Sequence, residues 1–235
     1  MAVITPNQER LSRLFARGKV IKICGLREPE HAAAAAAAGA DLIGFVFAPA
    51  RRQVTAETAR SCIIAARGAA HERTVFSVGV FVDAPPSEIL QIVQEAGIDA
   101  LQLHGDEPPN SLRHLPAPAL KALRPRPGTD AAGVVAEINR YQLGPTPPLG
   151  ILIDGYSETS AGGTGSYANW LLAKAIGTTF PIVLAGGLEP QNVGAAIRQV
   201  RPLGVDVSSG VEIDGAKSTA RIEEFIRAAQ QAFQG

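Results

Sequence analysis

The sequence has little of what metal centres, disulfide frameworks and surfaces of one charge are made from. Its 235 residues include two cysteines, Cys24 and Cys62, and four histidines. Two thiols could close at most one bridge, which excludes a disulfide scaffold and suits a reducing, cytoplasmic setting. No HxH, HExxH or CxxC spacing occurs, so no metal site is expected. Nor does a GxGxxG follow an apolar run with a ribose-binding acid behind it, which removes the usual dinucleotide fingerprint. Lys plus Arg and Asp plus Glu balance at 22 each, and zero net charge argues against a nucleic-acid footprint while allowing a local anion site. No apolar run approaches the about 18 residues of a membrane span. The N-terminal MAVITPNQERLSRLFARGK mixes acid and base where a signal peptide would have an apolar core.

What is present is core material. Hydrophobic residues make up 46% and charged residues 19%, enough for a sizeable core and without a disorder signature. Apolar, β-rich runs begin at Val20–Ile23 and recur at Asp41–Phe47, Val75–Val82, Ala100–Leu103, Leu120–Leu123, Gly150–Ile153, Pro181–Leu184 and Gly204–Val207. Between them lie helix-forming segments such as PEHAAAAAAAGA, TAETARSCIIAARG, PSEILQIVQEAG and PQNVGAAIRQVR, with TARIEEFIRAAQQAF last. Eight strands alternating with helices predict a (β/α)8 TIM barrel as one α/β domain over residues 20–235, a doubly wound open sheet being the competing architecture. Residues 1–19 read as a helical N-terminal extension that covers the barrel bottom. The alanine run 32–38 reads as a plain helix ended by Gly39. The proline-rich 142–150 segment reads as a loop rather than a domain boundary.

Residues two apart on a strand share a face. By that rule Lys22 and Cys24 oppose Ile21 and Ile23, Gln102 and His104 oppose Leu101 and Leu103, Asp154 opposes Ile151 and Ile153, and Asp206 and Ser208 oppose Val205 and Val207. Any one of these has a bland account: a strand cysteine as a small hydrophobe, a strand-end aspartate as a helix cap. Four strands whose second face turns polar toward its C-terminal end point instead to one site at the barrel mouth, where barrel enzymes keep their chemistry.

Two glycine-rich loops add an anion pole. LAGGLEPQNV supplies Gly186 and Gly187 with Pro190 near the first turn of a helix, and GVDVSSGVE supplies Ser208 and Ser209. Loops after strands 7 and 8 commonly hold a phosphate, which free backbone N–H groups recognise. SAGGTGS (160–166) would close over the same ligand with Gly165. The loops after strands 3 and 4 have no matching Gly-Gly, so one phosphate pole is expected. Arg51 and Arg52 follow strand 2; adjacent arginines are commonly a solvated loop, but a guanidinium facing the site would pair with a carboxylate. His31, His71 and His114 fall in helix or loop contexts and read as surface residues.

The motifs KICGL (22–26), GADLIGFVF (39–47), VGVFVD (78–83), LQLHGDE (101–107), LIDG (152–155), GGTG (162–165), LAGGL (184–188) and VDVSSGVE (205–212) resemble, in order, the phosphoribosylanthranilate isomerase family. The resemblance implies an Amadori rearrangement in tryptophan biosynthesis, without cofactor. N-(5-phosphoribosyl)anthranilate becomes 1-(2-carboxyphenylamino)-1-deoxyribulose 5-phosphate. A general acid protonates the furanose oxygen so that the ring opens to a protonated imine. A base then removes the proton from sugar C2, and the enolamine tautomerises to the ketone.

By this resemblance Cys24 is the base and Asp154 the acid. Arg52 would hold the anthranilate carboxylate, although which of Arg51 and Arg52 does so stays open. Gly186, Gly187, Ser208 and Ser209, with Gly165, would hold the phosphate, and Gln102, His104 and Asp206 would line the pocket. The thiol must be partly thiolate, and the ammonium of Lys22 is the expected source of the charge that lowers its pKa. The carboxyl needs the opposite tuning. The partner implied is a small-molecule substrate for a cytoplasmic monomer or homodimer, with no nucleic acid and no membrane. Ala50 stands where the family commonly has a serine. Two alternatives predict different residues. The histidine-pathway aminoaldose isomerase calls for a carboxylate at the end of strand 1 and a second phosphate site. A barrel that only binds a sugar phosphate needs neither Cys24 nor Asp154.

Overall fold

A computed structural model describes residues 6–126, 128–155 and 165–235 of the chain. Eight parallel strands close into a barrel in chain order: β1 Val20–Cys24, β2 Leu42–Val46, β3 Phe76–Phe81, β4 Ala100–Leu103, β5 Ala119–Leu123, β6 Gly150–Asp154, β7 Ile182–Ala185 and β8 Gly204–Val207. The ring is sealed where β1 pairs β8, with Lys22 opposite Asp206. The helices are α1 Pro6–Arg17, α2 Pro29–Ala38, α3 Ala56–Ala69, α4 Pro86–Ala96, α5 Ala131–Gln142, α6 Gly165–Gly177, α7 Val193–Val200 and α8 Thr219–Gln234. After β4 the connection is only the 3-10 turn Pro109–His114; Pro108 and Pro109 restrict the chain there and remove two backbone donors.

The alternation read from the sequence divides the core into two layers. Ile21, Ile23, Leu101, Leu103, Ile151, Ile153, Val205 and Val207 face outward under the helices. Val20, Leu42, Phe76, Val78, Ala100, Leu120, Leu152 and Val183 fill the interior, joined by Leu11, Leu14 and Phe15 of α1. Those three recur at helical spacing on one face of α1, so the added helix plugs the bottom of the barrel. Gly150 leaves room for the plug, since a Cβ there would lie 3.1 Å from the Phe15 ring. The alanine run is α2, whose buried Ala32, Ala35 and Ala36 form a smooth face, and left-handed Gly39 caps it.

Pro190 lies in the turn just before α7, which begins at Val193. The Glu189 carbonyl accepts from Val193 N–H at 3.0 Å, and the Asn192 side chain accepts from Glu189 N–H and donates to the Gly187 carbonyl, each at 2.9 Å. Among the described residues no helix is long and apolar enough to cross a membrane.

Candidate active site

The polar residues read as facing inward at the C-terminal ends of β1, β4, β6 and β8 do so, in two clusters. In the first, fully buried Lys22 donates to Asp206 at 2.9 Å. Cys24, two residues on, is also buried. Gly44 on β2 pairs with Cys24 in register, and a Cβ there would meet Cys24 Sγ at 2.8 Å and Lys22 Nζ at 3.1 Å. The missing side chain is therefore what lets thiol and ammonium converge. Gly44 had no part in the sequence reading, although its inward phase beside Cys24 was available from strand register.

Burial works to lower the Lys22 pKa, but the carboxylate of Asp206, and after it Cys24, outweigh burial and leave it raised. Burial pushes the Cys24 thiol up; Lys22 pulls it down, while Asp206 adds to the rise, and the net shift is upward. The expectation that Lys22 makes Cys24 a low-pKa thiol is thus corrected for the free protein. The ammonium is adjacent, but Asp206 offsets its charge, and desolvation penalises the thiolate more than the nearly neutral pair rewards it.

In the second cluster, His104 Nε2 lies 3.3 Å from Asp154 Oδ2, and Gln102 Nε2 lies 2.8 Å from His104 Nδ1. With the Gln102 amide nitrogen toward it, Nδ1 accepts in the tautomer that carries a hydrogen on Nε2, facing Asp154. Gln102 Oε1 is buried with no partner among the described residues. Asp154 rests against the loop after β7. Gly186 has φ +86°, and a Cβ there would stand 2.7 Å from Asp154 Oδ1.

The loop that carries His104 is anchored by residues the sequence reading passed over. Lys121 is inward in neither layer; it lies buried outside the barrel, donating to the Glu107 carboxylate at 2.8 Å and to the Gly105 carbonyl at 2.6 Å. Glu107 also accepts from Asp83 N–H at 3.0 Å, and Tyr141 donates to its carbonyl at 2.8 Å. This polar staple stands where other βα units have a helix. A lone lysine between the apolar residues of β5 was its only trace in the sequence.

The third component lies on the β1 and β8 side. Arg52 passes over Gly25, where a Cβ would meet its Cδ at 2.6 Å. Its Nε lies 2.6 Å from Glu212 Oε1 and its Nη2 3.1 Å from Oε2. Arg51 reaches Glu212 Oε2 at 2.6 Å and the carbonyl of Gly215, turned toward the hairpin of β9 Glu212–Ile213 and β10 Ala216–Lys217. Ser208 donates to the Cys24 carbonyl at 3.2 Å, and Ser209 opens a short 3-10 turn. The loops after β7 and β8 touch where Gly210 meets the Leu188 carbonyl. Gly165 is the first residue of α6; Gly162, Gly163 and Thr164 lie outside the described residues. No group of three or more His, Cys, Asp or Glu among the described residues could hold a metal ion.

A family model described as N-(5'phosphoribosyl)anthranilate (PRA) isomerase matches residues 21–228. The chain belongs to this family. Relatives named N-(5'-phosphoribosyl)anthranilate isomerase include one from Moorella thermoacetica, 43% identical over 90% of this chain and 90% of its own length. Another, from Pseudomonas putida, is 45% identical over 90% of this chain and 97% of its own length. Among solved structures, the phosphoribosyl anthranilate isomerase of Thermotoga maritima superposes with a TM-score of 0.74 at 34% identity, covering 90% of this chain and 98% of that one. A phosphoribosyl anthranilate isomerase in complex with reduced 1-(o-carboxyphenylamino)-1-deoxyribulose 5-phosphate superposes with a TM-score of 0.72 at 33% identity, with the same coverage. In this chain Cys24 and Asp154 end β1 and β6 at the same rim that carries Arg52 and the loops after β7 and β8.

Proposed function

We infer that this isomerase converts N-(5'-phosphoribosyl)anthranilate to 1-(o-carboxyphenylamino)-1-deoxyribulose 5-phosphate, the Amadori step of tryptophan biosynthesis. The observation that carries the reading is an acid and a base on separate strands of one mouth, Asp154 ending β6 and Cys24 ending β1. We assign the chemistry to the barrel, residues 20–235, with residues 1–19 as an appended segment, and place the enzyme in the cytoplasm.

Asp154 gives its proton to the furanose oxygen as the C1–O bond breaks, leaving a protonated imine. His104 Nε2–H faces the carboxylate formed in that step. Cys24, as thiolate, takes the C2 proton, and the resulting enolamine becomes the ketone by losing its hydroxyl proton and gaining one at C1. One turnover therefore leaves a proton on sulfur and removes one from Asp154; the reverse transfer must precede the next. Burial favours the thiol in the free enzyme, so the thiol must lose its proton before it can act as the base. A thiolate of raised pKa is scarcer but a stronger base for a carbon acid. Lys22 and Asp206 lie beneath the sulfur and set that balance, and Gln102 holds His104 in its tautomer.

Gly186, Gly187, Ser208 and Ser209, with Gly165, hold the phosphate through backbone N–H and hydroxyl groups. Arg52 takes the anthranilate carboxylate; Arg51 is committed to the hairpin. The histidine-pathway reading is disfavoured, because a thiol ends β1 and the loops after β3 and β4 present Asp83, Asp106 and Glu107 where a second phosphate would need donors.

Turnover of phosphoribosylanthranilate, followed by loss of its anthranilate-type fluorescence, tests the function. Cys24→Ala and Asp154→Asn should each lower kcat by roughly 10²–10⁴-fold. A barrel that only binds would show no turnover, and near-normal kcat in either variant would remove that residue from its role.

A further inference from the structure

Arg52 is already bound to a carboxylate of its own chain. A guanidinium has two edges that can grip a carboxylate in a fork, side-on through Nε and Nη2 or end-on through Nη1 and Nη2. Glu212 occupies the side-on edge, with both of its oxygens engaged. No described residue engages Nη1, and the side chain is 24% exposed. The end-on edge is the one left for a ligand.

Glu212 is itself held from three sides. Besides Arg52 it accepts from Arg51 at 2.6 Å and from Lys217 at 3.2 Å. Lys217 pairs with it across the β9–β10 hairpin and donates to the Ser208 carbonyl at 2.8 Å. Its carboxylate is the common acceptor of three cationic side chains, so the cluster keeps an excess of positive charge beside the mouth. Ser208 in turn reaches the Cys24 carbonyl. One hairpin thus links the arginine of the loop after β2, the serine loop after β8 and the end of β1.

We propose that Glu212 is a positioning residue: it fixes Arg52 side-on across Gly25 so that its end-on edge receives the substrate's aromatic carboxylate, with Lys217 tying Glu212 to the Ser208 loop. The proposal rests on the assignment of Arg52 to the carboxylate. It distinguishes Glu212 from a residue that merely stabilises the hairpin, because its effect must pass through Arg52 and appear only with ligands that carry the carboxylate.

The test compares phosphoribosylanthranilate with phosphoribosylaniline, which lacks the carboxylate, in the whole enzyme. Glu212→Gln should raise KM for the first by about tenfold, the scale of one charge-assisted contact, with kcat changed less than about threefold. On the aniline analogue its KM should match the parent. Adding Glu212→Gln to Arg52→Ala should cause no further loss on either compound. Glu212→Asp keeps the charge but pulls the fork back by one methylene; it should give a smaller KM rise confined to the carboxylate substrate, and it serves the same comparison if the glutamine variant does not fold. Equal penalties on both compounds, or losses additive with Arg52→Ala, would overturn the proposal. An unchanged KM in Arg52→Ala would instead remove Arg52 from the carboxylate, a separate failure.

Discussion

His104 and Asp154 are joined edge to carboxylate, Nε2 to Oδ2 at 3.3 Å, from strands that are not neighbours in the barrel. With the Gln102 amide nitrogen on Nδ1, the matching tautomer presents a hydrogen rather than a lone pair to Asp154. An N–H so placed stabilises the carboxylate that forms when Asp154 gives up its proton. It does more for the developing anion than for the neutral acid, and that difference is what accelerates a step.

His104→Ala should therefore lower kcat by about ten- to a hundredfold, the range for a hydrogen bond to a charged group, with a smaller change in KM. In an Asp154→Asn background the same substitution should have little further effect. Measured kcat values for the two single variants and the double variant decide it. Full additivity would separate His104 from the acid.

The Cys24 thiol should titrate above the ordinary cysteine range in the free enzyme, because burial raises it and Asp206 offsets Lys22. Asp206→Asn should lower its apparent pKa, since the ammonium then faces the sulfur without a competing carboxylate. Lys22→Met should raise it. Alkylation rate against pH reports both directions, and an upward shift in Asp206→Asn would show that the ammonium itself fails to stay charged without its partner.

Glu212 gives a pH dependence of stability with a definite sign. Burial opposes its ionisation, but Arg52, Arg51 and Lys217 hold its pKa at about 2 against an ordinary value of 4.5. A depressed carboxylate contributes stability that is present above about 4.5 and is lost as pH falls through about 2. The unfolded chain binds the proton first, so stability falls with acid across that window. The contribution is on the order of 3 kcal/mol at most by linkage. Denaturant unfolding between pH 5 and pH 2 should show a flatter acid dependence in Glu212→Gln than in the parent, and equal slopes would remove Glu212 from the acid transition.

The barrel was legible because period-two alternation is a backbone property: Ile21, Leu101, Ile151 and Val205 point outward whatever the helices do. The same phase brought Cys24, His104, Asp154 and Asp206 to the mouth. Contacts between loops distant in sequence were not legible. Nothing local says that Glu212 reaches Arg52 across 160 residues, or that Lys121 finds Glu107 outside the barrel. The sign of the Cys24 shift was also out of reach, because Lys22 on the same face argues for a low pKa until the depth of burial and the Asp206 partner are known.

The plug of α1 separates stability from catalysis. Phe15 is 6% exposed and packs with the interior side chains of the barrel bottom, whereas Cys24 and Asp154 end their strands at the opposite rim. Phe15→Ala would leave a cavity under Gly150 and remove the ring's apolar packing against the interior layer, at a cost of about 3–5 kcal/mol. Because the strands between plug and mouth keep their pairing, kcat at a temperature where the variant is folded should stay within about twofold of the parent. Urea unfolding and turnover on the same preparation check both halves. A stability loss below about 1 kcal/mol would mean that α1 rests on the barrel without sealing it, and a large fall in kcat would mean that the bottom layer sets the geometry of the mouth.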